Sequence, residues 1–128
     1  MQGGTTVRTQ FWSVFSTCWL LLLAAEAAHA RTMHVMNSTP AAEAIMRGDH
    51  AQYVVRFDGP VDHVHARLEI LRDGQVVETL HPLLDSAPDV LFASAPSPQS
   101  GHYVLHWYVK SMADQDDSDG MIPFSVAR

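Results

Sequence analysis

Residues 102–110 read HYVLHWYVK, and apolar side chains take every second position in this stretch. One face would carry Tyr103, Leu105, Trp107 and Val109. A period of two is typical of a half-buried β-strand, because successive side chains of a strand point to opposite faces. The stretch therefore predicts a strand with one face in a core.

The same alternation recurs in QYVVRF (52–57) and HARLEILRD (65–73), and turn residues separate the runs. Asp73-Gly74 between two such runs is a strong hairpin signal. Short strands with turns between them predict an all-β sandwich, with a small barrel as the alternative. About seven strands are expected, at residues 33–38, 51–58, 64–72, 75–81, 89–94, 102–111 and 120–127. The segment PAAEAIMRG, 40–48, is expected to be a loop.

The N-terminal segment has the order of a secretory signal peptide. Arg8 precedes a continuous apolar run, and small residues follow at Ala28-His29-Ala30. The run of about 15 residues is shorter than the ~20 needed to span a bilayer, which disfavours an uncleaved anchor. The predicted division is a signal peptide at 1–30 and one domain at 31–128, with cleavage after Ala27 as the alternative.

Composition narrows the function of the domain. Fourteen acidic residues outnumber eight Lys and Arg, and this balance argues against nucleic acid as a partner. No nucleophile elbow, phosphate-binding Gly-rich loop or CxxC is present, so the chain is not expected to be an enzyme. The single cysteine, Cys18, lies in the apolar run, so a soft metal ligand in the domain must be Met or His.

Three stretches contain groups that could bind metal. TMHVM brings together Met33, His34 and Met36, and thioether with imidazole suits Cu(I). His63 and His65 are two apart, so on one strand they would share a face about 6.6 Å apart; the alternative is that both are merely exposed.

The third stretch is the acidic run MADQDDSDGM at residues 112–121, which contains Asp114, Asp116, Asp117 and Asp119. Its spacing fails the calcium loop of EF-hand type, because Gly120 comes one position late and the twelfth residue is Ser125. An irregular calcium site and a solvated turn both stay open.

Four stretches in order resemble the CopC-like periplasmic copper-binding family. They are HVMNSTPA, VVRFDGPVD, SGHYVLHWYVKS and DGMIPFSV, and together they extend across most of residues 31–128. The resemblance implies an immunoglobulin-like Greek-key sandwich, a periplasmic location and copper as the bound ion, often with a CopD-like inner-membrane partner. It is compatible with a monomer or weak dimer.

The resemblance also implies a ligand set, which this chain matches incompletely. The family joins an N-terminal His to a D-x-H pair in the loop after the Trp strand. Here His34 takes the position of a second His, and the loop reads D-Q-D at Asp114 and Asp116. The implied Cu(II) ligands are His34, Asp114 and Asp116, with Met36 or Met112 assisting with Cu(I). Because Cu(II) prefers nitrogen to carboxylate oxygen, this set should bind copper more weakly or favour another divalent ion.

Two functions are therefore weighed. The first is a periplasmic copper carrier or buffer in copper resistance or homeostasis, with a degraded copper site. The alternative is an immunoglobulin-like envelope interaction module that has lost metal binding, which the aspartate at position 116 favours.

Overall fold

The computed structural model describes residues 32–128, together with residues 3 and 4. Apart from those two residues, the predicted signal peptide at 1–30 lies outside the described residues, and its cleavage stays a prediction. The strands are β1 (Val35–Thr39), β2 (Ala44–Met46), β3 (His50–Phe57), β4 (Arg67–Arg72), β5 (Gln75–Leu80), β6 (Val90–Pro96), β7 (Gly101–Lys110) and β8 (Asp117–Val126).

The eight strands form two sheets. One has the order β1-β3-β6 and the other the order β2-β8-β7-β4-β5. All pairings are antiparallel except that of β2 with β8. The all-β sandwich is confirmed, and the small barrel is not what forms. Within the described residues, no helix has the length and apolarity needed to cross a membrane.

The core lies between the sheets and is built from the alternating residues of the long strands. Tyr103, Leu105, Trp107 and Val109 of β7 are all buried, as the sequence pattern predicts. They meet β3 across the sandwich, where the ring of Phe57 packs edge-on against Trp107 at 5.1 Å between centroids. Such aromatic pairs add to the stabilisation that burial alone provides.

The turn between β4 and β5 is the predicted hairpin. Asp73 and Gly74 both have positive φ, at 51° and 77°, as a type I′ turn requires. The hairpin prediction is confirmed.

Three strand predictions are wrong, and two of them concern residues 40–48 and 120–127. The segment expected to be a loop contains β2, whose three residues pair in parallel with the end of β8, Ala44 opposite Phe124. Three residues are too few to show a periodicity, and this strand depends on a partner about 80 positions further along the chain. β8 itself begins at Asp117 rather than at 120, so half of the acidic run is strand.

The strand expected at 64–72 begins only at Arg67. The preceding residues bend around Asp62, whose Oδ1 accepts the backbone N–H groups of Val64 at 2.9 Å and His65 at 3.3 Å. The His63–His65 pair therefore lies on a bend, not on one strand face, because the carboxylate of Asp62 offers the backbone an alternative to the sheet.

Candidate metal centre

The segment before and within β1 separates its two methionines. Met33 is buried in the core, and its backbone N–H donates to Oγ of the buried Ser118 at 3.0 Å. A bulge interrupts β1 between Val35 and Asn37, and Met36 is 64% exposed. The side chain of His34 is also exposed. Met33 therefore anchors this segment in the core, while the imidazole of His34 and the thioether of Met36 face solvent.

His34 is bound by Asp58, which follows the last residue of β3. Nδ1 of His34 lies 3.0 Å from Oδ2 of Asp58, and the backbone N–H of His34 donates to Oδ1 at 3.1 Å. The backbone N–H of Asp58 in turn donates to the carbonyl of His34 at 3.0 Å. The backbone hydrogen bond from His34, and then its side-chain hydrogen bond, lower the pKa of Asp58.

The sequence reasoning missed Asp58, which it treated only as the end of a strand. The signal available was the acidic residue that precedes Gly59-Pro60. That signal does not identify the partner, because His34 lies 24 positions earlier in the chain.

The segment 58–62 connects the start of β1 with the loop that follows β7. The backbone N–H of Met112 donates to the carbonyl of Pro60 at 3.0 Å, and Val61 pairs with Ser111 in an isolated bridge. A small cleft of about 200 Å³ lies where these segments meet. Its lining residues are Thr32, Met33, Asp58, Gly59, Pro60, Ser111 and Ala113.

The connection from β7 to β8 is a tight turn. Ser111 donates its N–H to the carbonyl of Asp116 at 2.9 Å, and Gln115 donates back to the carbonyl of Ser111 at 3.0 Å. Gln115 has a positive φ of 63°. Oδ1 of Asp114 accepts the backbone N–H of Asp116 at 3.1 Å, so one oxygen of Asp114 stabilises the turn itself.

The other two carboxylates of the acidic run lie on the outer face of the five-stranded sheet. Asp117 lies 3.5 Å from Nζ of Lys110, and its hydrogen bond with Tyr108 raises the pKa of that phenol. Oδ2 of Asp119 lies 2.9 Å from Nε2 of His106. These carboxylates are engaged across strands and are not part of the turn.

His106 is held between carboxylates on both neighbouring strands. Its Nδ1 lies 3.4 Å from Oε2 of Glu69 on β4, while its Nε2 faces Asp119 on β8. The two nitrogens point in opposite directions, so the arrangement links three strands rather than surrounding an ion.

Among the residues that the structure describes, no three His, Cys, Asp or Glu side chains come together as a group able to hold a metal. His34, Asp114 and Asp116 are therefore not assembled in advance, and the ligand set stays a prediction. Nor do His63 and His65 share a partner: Nε2 of His63 faces the carbonyl of Val90, and Nδ1 of His65 faces Asp62. The exposed thioether of Met112 lies beside the turn, at the edge of the same region.

The comparison with known protein families identifies the family of this chain. The model of the CopC domain matches residues 35–127. The chain belongs to the CopC family. This is a family of copper-resistance proteins, so the resemblance predicted from the four motifs is confirmed. A comparison with curated proteins finds no match.

One solved structure agrees with the CopC assignment, and a second shares the fold. CopC from Methylosinus trichosporium OB3b is similar with 25% sequence identity and a TM-score of 0.64, over 73% of this chain and 92% of that chain. An engineered protein is similar with 26% identity and a TM-score of 0.57, over 76% of this chain and 20% of that chain. The chain thus spans nearly the whole length of a solved CopC.

Proposed function

We propose that this CopC-family chain is a periplasmic copper carrier or buffer that acts without catalysis. His34 supplies an imidazole nitrogen to Cu(II), and Asp114 and Asp116 supply carboxylate oxygens from the turn after β7. Met36 and Met112 offer thioethers to Cu(I). Copper is the cargo of the protein, and its membership of a copper-resistance family supports this role.

The observation that carries the proposal is the shared position of the segment 58–62. On one side it hydrogen-bonds to His34, and on the other it hydrogen-bonds to Met112 at the start of the acidic turn. His34 and the turn after β7 thus both contact the same short segment, although His34 and Asp114 lie 80 positions apart in sequence. Because these ligands are not assembled in the described residues, the exposed His34 or the turn would have to move to bring them together.

Such a site would be weak. Two carboxylates and one imidazole form a harder ligand set than copper prefers, and assembling exposed side chains costs conformational entropy. These features suit a buffer that releases its cargo to a partner. We propose a CopD-like inner-membrane protein as that partner, with the chain exported by the segment 1–30 and acting as a monomer or weak dimer.

A calorimetric titration tests the copper role. The exported protein, with its N-terminus determined by mass spectrometry, is titrated with Cu(II), Cu(I) and Ca(II). The proposal expects copper to bind with Kd below about 10 μM and His34→Ala to weaken Cu(II) binding. His81→Ala, which changes an exposed histidine in the connection after β5, is the matched control and should leave binding unchanged.

The alternative function is an immunoglobulin-like interaction module that has lost metal binding. The specific observation in its favour is that the described residues contain no assembled group of three ligands. The same titration separates the two functions. If neither copper ion binds below about 10 μM, the carrier is rejected and the interaction module is retained. If Ca(II) alone binds, the irregular calcium site is the correct reading of the acidic turn.

A further inference from the structure

We propose that Asp58 is the positioning residue of His34: it selects the tautomer of the ring and presents Nε2, rather than Nδ1, to a metal. The expected effect of Asp58 on copper binding rests on the proposed function. The tautomer of His34 concerns the metal-free protein and can be tested without copper.

The first step concerns the two hydrogen bonds that Asp58 accepts from one residue. Its Oδ1 accepts the backbone N–H of His34 at 3.1 Å, and this hydrogen bond fixes the orientation of the carboxylate relative to the backbone. Its Oδ2 then faces Nδ1 of the same residue at 3.0 Å. Because both contacts go to one residue, the carboxylate restrains the His34 side chain as well as its backbone.

The second step concerns proton position. An ionised carboxylate only accepts hydrogen bonds, so Nδ1 of His34 must carry the proton in this contact. A neutral imidazole has one N–H, and the lone pair is then on Nε2. An aspartate carboxyl, with an ordinary pKa of about 3.9, is ionised at neutral pH, which agrees with this assignment.

The third step concerns exposure. The side chain of His34 is 72% exposed, whereas that of Asp58 is 38% exposed. Asp58 is held by the backbone on both sides, since its own N–H donates to the carbonyl of His34 and the next residues contact the loop after β7. A fixed carboxylate behind an exposed imidazole is the arrangement that orients metal-binding histidines in general.

The matched comparison within the chain is the pair of Asp62 and His65. Oδ1 of Asp62 also accepts the backbone N–H of His65, and Oδ2 also faces Nδ1 of that residue, at 2.7 Å. The two pairs thus share one local geometry. Of these four residues only Asp58 lines the cleft beside the turn after β7. Asp62 is therefore the control for a carboxylate that orients a histidine other than the proposed ligand.

The tautomer is measured directly by nitrogen NMR on the metal-free protein, at a pH high enough to neutralise the ring. We expect His34 to show a protonated Nδ1 and an unprotonated Nε2. In Asp58→Asn, loss of the carboxylate should shift the population towards the Nε2–H form, while Asp62→Asn should leave His34 unchanged. A predominant Nε2–H tautomer of His34 in the unaltered protein overturns the inference, whatever the copper result.

The consequence for binding is measured with Cu(I) under anaerobic conditions, because this ion is diamagnetic and imidazole together with thioether suits it. We expect Cu(I) to change the signal of Nε2 of His34 and to leave Nδ1 protonated. Loss of an orienting carboxylate commonly weakens metal binding about 10–100-fold. Asp58→Asn should show such a loss and Asp62→Asn should not, with urea unfolding used to verify that both variants are folded.

The outcomes separate this inference from the proposed function. If the tautomer is as expected but no copper binds, the positioning contact is supported and the copper role fails. If copper binds through Nδ1 of His34, or if Asp58→Asn binds copper as tightly as the unaltered protein, the positioning role is overturned and the copper role survives.

Discussion

Trp107 lies directly against Gly120, its partner on the neighbouring strand β8. A Cβ added to Gly120 would lie 2.7 Å from Cε2 and 2.9 Å from Nε1 of the indole. The ring therefore occupies the space that any other residue at position 120 would need. Gly120, within the acidic run, thus has a packing role, whereas it comes one position late for a calcium loop.

Gly120→Ala should lower the free energy of unfolding by about 1–3 kcal/mol, because the added methyl group overpacks the core against Trp107. Urea unfolding measures the effect. Gly59→Ala is the control, since its new Cβ would lie 3.6 Å from Cε of Met33, an ordinary contact. Equal stability of the two variants would contradict the packing role of Gly120.

The two methionines that flank His34 should respond very differently to truncation. Met33→Ala should destabilise the protein by about 2–5 kcal/mol because it leaves a cavity in the core. Met36→Ala removes an exposed side chain and should change stability by no more than about 0.5 kcal/mol. Thermal or urea unfolding of both variants gives the comparison, and a large loss in Met36→Ala would mean that this side chain packs against the protein.

Two buried tyrosines differ in whether their hydroxyl groups form a hydrogen bond. That of Tyr103 donates to the carbonyl of Gln99 at 2.6 Å, whereas that of Tyr53 has no hydrogen-bond partner among the described residues. Tyr103→Phe should therefore cost about 1 kcal/mol, and Tyr53→Phe should be neutral or stabilising. Burial, with a smaller contribution from Glu78, raises the pKa of Tyr53 to about 12. Alkaline titration should show a tyrosine that ionises near pH 12 and that disappears in Tyr53→Phe.

The contact between Asp62 and His65 should make stability depend on acid pH. The side-chain hydrogen bond from His65, followed by backbone hydrogen bonds, lowers the pKa of Asp62. A lowered carboxyl pKa stabilises the fold above the ordinary value of about 3.9, and this contribution is lost as the pH falls through the folded-state pKa. Asp62→Asn should therefore be less stable than the unaltered protein at pH 7, and the difference should disappear as the pH falls below the lowered pKa of Asp62.

A double-mutant cycle isolates the histidine contribution to this effect. In a His65→Ala background, Asp62→Asn should have a smaller effect at pH 7, because only the backbone donors remain. An unchanged effect would show that the imidazole contributes nothing.

Asp116→His tests whether the turn after β7 contributes to copper binding. The change supplies the nitrogen ligand that the CopC resemblance predicts at this position, and Cu(II) prefers imidazole nitrogen to carboxylate oxygen. We expect Cu(II) affinity to rise at least about tenfold, equivalent to about 1.4 kcal/mol. Asp85→His, in the exposed connection between β5 and β6, controls for an added histidine. If both variants bind Cu(II) equally, the turn is not part of the site.

Much of the fold could be predicted from local pattern. The long strand β7 and the hairpin at Asp73-Gly74 are both strongly encoded, because alternation over ten residues and a turn with two positive φ values leave few alternatives. The family could also be recognised, since four motifs in order constrain the register of the whole domain. β2 could not be predicted, because three residues carry no period and their pairing is long-range.

The candidate site was less predictable than the fold. Sequence reasoning grouped the four carboxylates of the acidic run, but Asp117 and Asp119 belong to β8 and contact its neighbour on the sheet face. It also placed His63 and His65 on a strand that begins only after them. In each case the position of the side chain depends on a tertiary contact or on where a strand ends. Neither leaves a periodic signal in the sequence.

The sequence by itself therefore determined the class of fold, the hairpin and the family, because these depend on periodicity, turn residues and motif order. Only the tertiary structure decided which carboxylate meets His34. Asp58 and His34 come together because β1 and β3 pair antiparallel, so the residue before one strand lies beside the residue after the other. Burial of the core face of β3 and of Met33, which precedes β1, stabilises that register. Neither His34 nor Asp58 carries a local sign of it.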